Sequence, residues 1–361
     1  MGRIYMFIIF FMSFSNYFCS NPITNDLDSL IVWKKINSPI VINGCYTVPK
    51  GTKLIIEPGV EVRLKSYPVI DSTWVENARI RRDTTGMYYF VNSNNLAGWL
   101  NIKGDISAKG TRSDPIIFTS TSEGKWGIIM VDNEYSDFSY CEFKNAHRIY
   151  FKNEEYHYYE SALTVKNGVI NIDNCTFKHN KNRNLSIYSL SNVTIFNTRF
   201  EEKGVHFNNF IDSNHKIVFA NNLFYKARLT FQAAAYISII NNTFVFCNVP
   251  VDLNMNTNYK LCNNIFYEWG DYPINRKTAS YTLIKNNIYF KQKSRENPNL
   301  NGFIWADPSF LNENDLDFRL SSGSPCIDTG DQSIYNDFPL YDLLGNNRVN
   351  GTTIDIGCYE K

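Results

Sequence analysis

Several features that mark common protein classes are scarce in this chain of 361 residues. It has no charge excess. Against 36 basic residues stand 35 acidic ones, and a net charge of +1 excludes the basic footprint of a general nucleic-acid binder. Only five histidines occur and no Cys-x-x-Cys pair, so neither a structural zinc site nor any other metal or cofactor is expected. No Gly-x-Ser-x-Gly is present, which removes the nucleophile elbow of the α/β-hydrolases. Beyond the first twenty residues no apolar run approaches the roughly 18 residues of a spanning helix. In place of these stand 46 Asn, 26 Phe and 23 Tyr. Asn disfavours both helix and strand, whereas the aromatics favour strand, so the composition points to many short strands joined by turns.

The N-terminus reads as a targeting segment. Arg3 precedes the apolar run Met6-Phe7-Ile8-Ile9-Phe10-Phe11-Met12, which is too short to span a bilayer and has the form of a signal peptide over residues 1–19. Cys19 follows where an acylated lipoprotein cysteine would sit, although Asn16-Tyr17-Phe18 lacks the small residues expected before it. Lipidation at Cys19 and plain cleavage near Cys19 or Ser20 both remain open. Both place the protein outside the cytoplasm, secreted or at the cell surface, with the outer membrane as partner if Cys19 is acylated. Residues 20–37 read as a linker.

The strongest internal signal is a repeated Asn-x-x-aromatic element. It occurs as Asn174 to Phe177, Asn197 to Phe200, Asn221 to Phe224, Asn241 to Phe244, Asn263 to Phe266 and Asn286 to Tyr289. The aromatic positions are spaced by 23, 24, 20, 22 and 23 residues, with Tyr140 to Phe143 as a degenerate earlier copy. A fixed period of this size signals stacked supersecondary units. Alternating runs such as Lys216–Ala220 and Tyr236–Ile240 are too short for helices and suit strands. The expected architecture is all-β: a parallel β-helix of roughly ten coils over residues 38–300. An Asn ladder is expected to satisfy the backbone at each bend, and an aromatic ladder to fill the interior. Cys141 and Cys175 share one ladder position and are expected as stacked buried thiols. The Asn241-Asn242-Thr243 and Asn174-Cys175-Thr176 sequons lie inside the ladder and read as accidental matches to the glycosylation pattern.

Two stretches carry a resemblance to a known family. Ser38–Gly44, Thr47–Val62, Ile102–Thr111, Asp114–Ser120 and Trp126–Ile129 resemble the first coils of secreted right-handed parallel β-helix proteins of the pectin-lyase-like superfamily. Asp307–Phe310, Asp317–Leu320, Ser324–Gly330, Asp342–Arg348 and Ile354–Glu360 are similar, in that order, to the choice-of-anchor module found after such solenoids in bacterial surface proteins. The resemblance implies a C-terminal capping module at 301–361. Cys326 and Cys358 replace residues that are usually small there, which suggests a Cys326–Cys358 disulfide. Two unrelated buried thiols are the alternative.

The superfamily includes hydrolases, lyases, esterases and members without known activity. The Asn-Thr-Asp, Asp-Asp and Gly-His-Gly pieces of its galacturonan hydrolases are absent. A lyase needs a base and a cation that neutralises the uronate carboxylate. Lys216, Arg228, His206 and His215 are the catalytic candidates, without a matching lyase motif around them. Two interruptions of the coil rhythm, at 66–99 and 144–161, carry arginine and aromatic residues suited to acidic sugars: Arg79, Arg81, Arg82, Tyr88, His147, Arg148 and Tyr158. These loops read as a polysaccharide-binding surface, or as a cover for the open end of the stack. The leading expectation is a protein that binds polysaccharide, possibly acidic. A lyase acting by β-elimination and a spacer solenoid are the alternatives.

Overall fold

The computed structural model describes residues 29–66, 98–147, 149–150, 158–159, 161–188, 192–207, 215–232, 236–253, 258–270, 273–276, 280–291, 301–334 and 339–361. Short strands recur in a fixed cycle of three and pair in parallel with their equivalents one coil away, which makes the chain a parallel β-helix. The first sheet begins with Leu30–Trp33 and Lys53–Ile56 and continues to Ser280–Lys285. The second stacks eleven strands, from Ile40–Ile42 to Phe303–Trp305. The third runs from Cys45–Val48 to Ile274–Arg276. In two coils, Ile129–Ser139 and Ser161–Asp173 pass from the third sheet into the first as single long strands.

The turn from the first sheet to the second explains the repeated Asn. Its first Asn, at 174, 197, 221, 241, 263 and 286, adopts a left-handed conformation with φ between 46° and 58°. Asn tolerates this region better than other residues with a β-carbon. The internal ladder is one residue further on, a shift from the expected assignment. It comprises Cys141, Cys175, Thr198, Asn222, Asn242, Asn264 and Asn287. From Cys141 to Asn264 each rung's backbone N–H donates to the side chain of the rung in the next coil, as from Asn222 to Asn242 Oδ1 at 3.0 Å and Asn242 to Asn264 Oδ1 at 2.9 Å. The cysteine and asparagine rungs also donate to a first-sheet carbonyl of the preceding coil, as from Asn264 Nδ2 to Ile239 at 2.8 Å, while Thr198 donates to Phe196 of its own coil. Cys141 and Cys175 are neighbouring buried free thiols on this ladder, as expected.

Two residues past each rung the chain turns an aromatic ring inward. Phe118, Phe143, Phe177, Phe200, Phe224, Phe244 and Phe266 are fully buried. Their rings stack coil upon coil at centroid spacings of 4.5 to 5.1 Å. This matches the spacing of hydrogen-bonded strands, so register and ring stacking enforce each other.

The outer face of the second sheet changes character along the axis. Early coils present ion pairs there: Glu142 with Lys144 and Lys178, then Arg199 with Glu201. Later coils present Leu223, Val245, Ile265, Tyr267 and Ile288, all buried. The C-terminal module covers these with Phe318, Leu320, Ile356 and Tyr359 in a second core. Its cap is therefore lateral. The left-handed Asn corners hold it: Asn221, Asn241, Asn263 and Asn286 donate to the carbonyls of Tyr341, Asp355, Asp331 and Thr329. Asn241 is buried under this module, which leaves no room for a glycan. Cys326 and Cys358 lie in the same core as two free thiols, so the expected disulfide is not formed. Backbone pairing sets Cys326 against Ile356, whose N–H donates to the Cys326 carbonyl, while the Cys358 N–H is taken by Thr243 Oγ1.

Within the module the Arg348 guanidinium, 3.0 Å from Glu360, also donates to the Gly357 and Asp355 carbonyls. Asp342 and Asp355 are buried beside this pair. Burial pushes the Glu360 carboxyl up to about 8, despite the opposing pull of Arg348. A raised carboxyl pKa means that the folded state holds the proton more tightly than the unfolded chain. The associated stability is present below the unfolded value of 4.5 and is lost as pH rises through about 8. Hydrogen exchange at pH 6 and pH 9 is expected to show the C-terminal module losing protection selectively at the higher pH. In Glu360→Gln that pH dependence should flatten. Replacing Asn242 by Ala strands the Asn222 backbone N–H and removes one of the two acceptors of its amide in the dry interior. It should cost about 3 kcal/mol in denaturant unfolding, and Asn242→Thr, which restores the acceptor found at Thr198, should cost less.

Candidate functional site

The turn from the second sheet to the third varies in length, and this variation builds a notch. The turn starts at a left-handed residue: His179, Glu202, Lys226 or Phe246. Strand register then aligns Leu185, Val205, Leu229 and Val251. Two coils close the turn quickly, Glu202 to Val205 and Lys226 to Leu229. Their neighbours take the longer routes His179 to Leu185 and Phe246 to Val251. The short turns form a floor between two raised walls, about 14 Å apart at three coil spacings.

The notch has a volume of about 440 Å³. Lys181 and Arg183 stand on one wall, Asn248 and Val249 on the other, and Lys203, His206, Lys226, Arg228 and Thr230 line the floor. Among the described residues no ion pair neutralises Lys181, Arg183, Lys203, Lys226 or Arg228; Glu202 is the one carboxylate in the lining. Other surface cations do have carboxylate partners, such as Lys109 with Asp137 and Lys285 with Asp331. The Thr230 hydroxyl is buried without a hydrogen-bond partner, an unsatisfied polar atom at the notch floor.

Buried amides fix the corner. Asn180 donates to the Phe143 carbonyl at 3.1 Å and to Asn184 Oδ1 at 2.9 Å. Asn184 in turn donates to the Glu201 and Lys203 carbonyls. Gly204 lets adjacent coils close, since a β-carbon there would lie 2.1 Å from the Arg228 carbonyl oxygen. Beside the notch, Lys125 Nζ donates to the His179 carbonyl at 2.6 Å and to Asn145 Oδ1 at 3.2 Å. Burial lowers the Lys125 pKa, and the charge of Lys181 adds to the effect.

The structure brings together Arg228 and His206 of the sequence-derived candidates. His206 projects outward between Ser186 and Thr230 on adjacent coils. Lys216 and His215 are elsewhere, at the turn from the third sheet to the first, where the Lys216 N–H donates to Asn192 Oδ1. Arg79, Arg81, Arg82, Tyr88, Arg148 and Cys19, and the side chain of Tyr158, lie outside the described residues. The roots of both interruptions are described. Gly98 donates to the Lys65 carbonyl at 2.7 Å, so the first loop leaves and returns at one point. The second leaves beyond His147, beside the notch wall, where the Lys181 N–H meets the Ala146 carbonyl at 2.8 Å. Both loops therefore spring from the same corner of the solenoid as the notch. The five notch cations were missed in sequence, apart from Arg228, because their grouping depends on turn lengths in four different coils.

Among the described residues no group of three or more His, Cys, Asp or Glu side chains is arranged to hold a metal ion. No protein-family model matches the chain, and no curated protein matches it. Gly204→Ala is expected to force the two floor coils apart, costing about 1–3 kcal/mol as an overpacked contact. Thermal melting checks the cost, and hydrogen exchange should place the loosening at 202–206 and 226–230.

Proposed function

We propose that this chain is an exported parallel β-helix protein that binds an acidic polysaccharide along its second-to-third corner. The carrying observation is the notch itself: five cations that form no ion pair among the described residues, around a floor of short turns, in a chain of net charge +1. Arg183 and Arg228 offer planar forks for carboxylates, and the lysines add charge that tolerates varied geometry. The two loops rooted on the same corner extend the surface, with Arg79, Arg81, Arg82, Tyr88, His147, Arg148 and Tyr158 contributing arginine and aromatic contacts. The N-terminal segment directs export, to the medium after plain cleavage or to the outer membrane if Cys19 is acylated. The solenoid is of the pectin-lyase-like kind, and the C-terminal module is of the choice-of-anchor type.

Binding to a panel of uronate polymers at fixed ionic strength tests this reading. Affinity for at least one polymer is expected, falling as salt rises. Arg228→Ala and Arg183→Ala should each weaken it roughly tenfold, the scale of a lost charged hydrogen bond. Neutral polymers binding equally well would sink the proposal.

A second reading, β-elimination, is favoured by one arrangement. His206 and Arg228 line one notch, a base beside a cation able to neutralise a uronate carboxylate. Ultraviolet absorbance of the unsaturated product should then rise with one polymer and vanish in His206→Ala. A flat trace across the panel removes this reading and leaves binding intact.

A further inference from the structure

A smaller depression of about 330 Å³ adjoins the notch and shares Lys181, Glu202 and Lys203 with it. Lys125, His179 and Asn180 complete its lining. We propose that this depression takes a tetrahedral oxyanion, a sulfate or phosphate ester carried by the bound glycan. The inference rests on the glycan-binding reading above and names the kind of glycan.

The division of cation types carries the argument. Both arginines, Arg183 and Arg228, line the notch, and neither lines the depression. The depression holds three lysines and no arginine: Lys181 and Lys203, on successive turns and shared with the notch, and Lys125, which precedes the strand Ile129–Ser139 and belongs to the depression alone. A guanidinium matches the planar, two-oxygen edge of a carboxylate. Ammonium groups act as compact point charges and suit an oxyanion with oxygens in several directions. The two cavities thus divide the work on one ligand, uronate carboxylate in the notch and tetrahedral ester beside it.

Lys125 is the fixed member of the set. Two of its three N–H donors are committed to the His179 carbonyl and Asn145 Oδ1, which hold the ammonium in place and leave a third donor over. Its half-buried amine is disfavoured in its charged form by burial and by Lys181, and is supported by Glu202. Three ammonium groups against the single Glu202 carboxylate leave a net positive site. A bound oxyanion would relieve the repulsion among the lysines.

Matched pairs of polymers test the proposal: pectate, alginate and chondroitin, each with and without sulfate esters, and each again with phosphate esters. Affinities are compared at one ionic strength for the wild type and for Lys125→Gln, whose amide keeps a donor for the corner carbonyl. Circular dichroism and melting confirm that the variant is folded. The ester-bearing form of a polymer that binds is expected to bind at least tenfold more tightly than its plain form. In Lys125→Gln that excess should disappear, with affinity for the plain polymer unchanged. The sulfate and phosphate arms identify which ester the site prefers. Equal affinity for plain and ester-bearing forms, or equal weakening of both in Lys125→Gln, overturns the inference and leaves the glycan-binding reading standing. No binding by any member of the panel overturns both.

Discussion

The whole molecule depends on one small interaction repeated along its axis: a corner N–H donating to the side chain of the next rung. A solenoid cannot hide its corner backbone groups inside a sheet ladder, because the strands have just ended there. Buried and unpaired, each would cost about as much as a full hydrogen bond. The rung residues solve this with whatever short polar acceptor is present, a thiol at Cys175, a hydroxyl at Thr198, an amide from Asn222 onward. The same side chains donate back to the first sheet. Register is then fixed at one corner, and the phenylalanine column two residues later falls into line at strand spacing.

Once register is fixed, the outside of the solenoid is free to vary. Outward positions of the second sheet carry ion pairs where water meets them and aliphatic or aromatic residues where the C-terminal module does. The left-handed Asn residues do double duty. Their backbone turns the chain, and their outward amides grip the carbonyls of that module. The module is joined through backbone hydrogen bonds as well as apolar contact, and its buried Arg348–Glu360 pair lies close to the Asn241 contact with Asp355.

The opposite corner is where the coils differ. Its turns can lengthen or shorten without disturbing the ladder, since the buried Asn180 and Asn184 amides satisfy the local carbonyls. Two short turns between two long ones make the notch, and both long interruptions of the repeat leave from the same corner. A rigid stack with a variable edge is a ready arrangement for recognising an extended polymer, because every coil adds a contact at a constant interval.

The sequence by itself determined the repeat, the stacking of short parallel strands and the inward phenylalanines, because a stacked fold repeats the same physical demand in every coil and so writes the same residue at the same interval. It also paired Cys141 with Cys175 correctly. It did not separate the two asparagines of each Asn-Asn pair, for the backbone angle that sends one outward and the next inward leaves no mark in composition. It grouped Lys216 and His215 with His206 because they are near in the chain, whereas a coil carries them to different corners. It suggested a disulfide for Cys326 and Cys358, whose neighbourhood in the fold is that of two separate thiols. The notch was decided only by tertiary structure. Its cations come from coils whose turn lengths matter relative to one another, and that comparison exists only after the strands have been set in register.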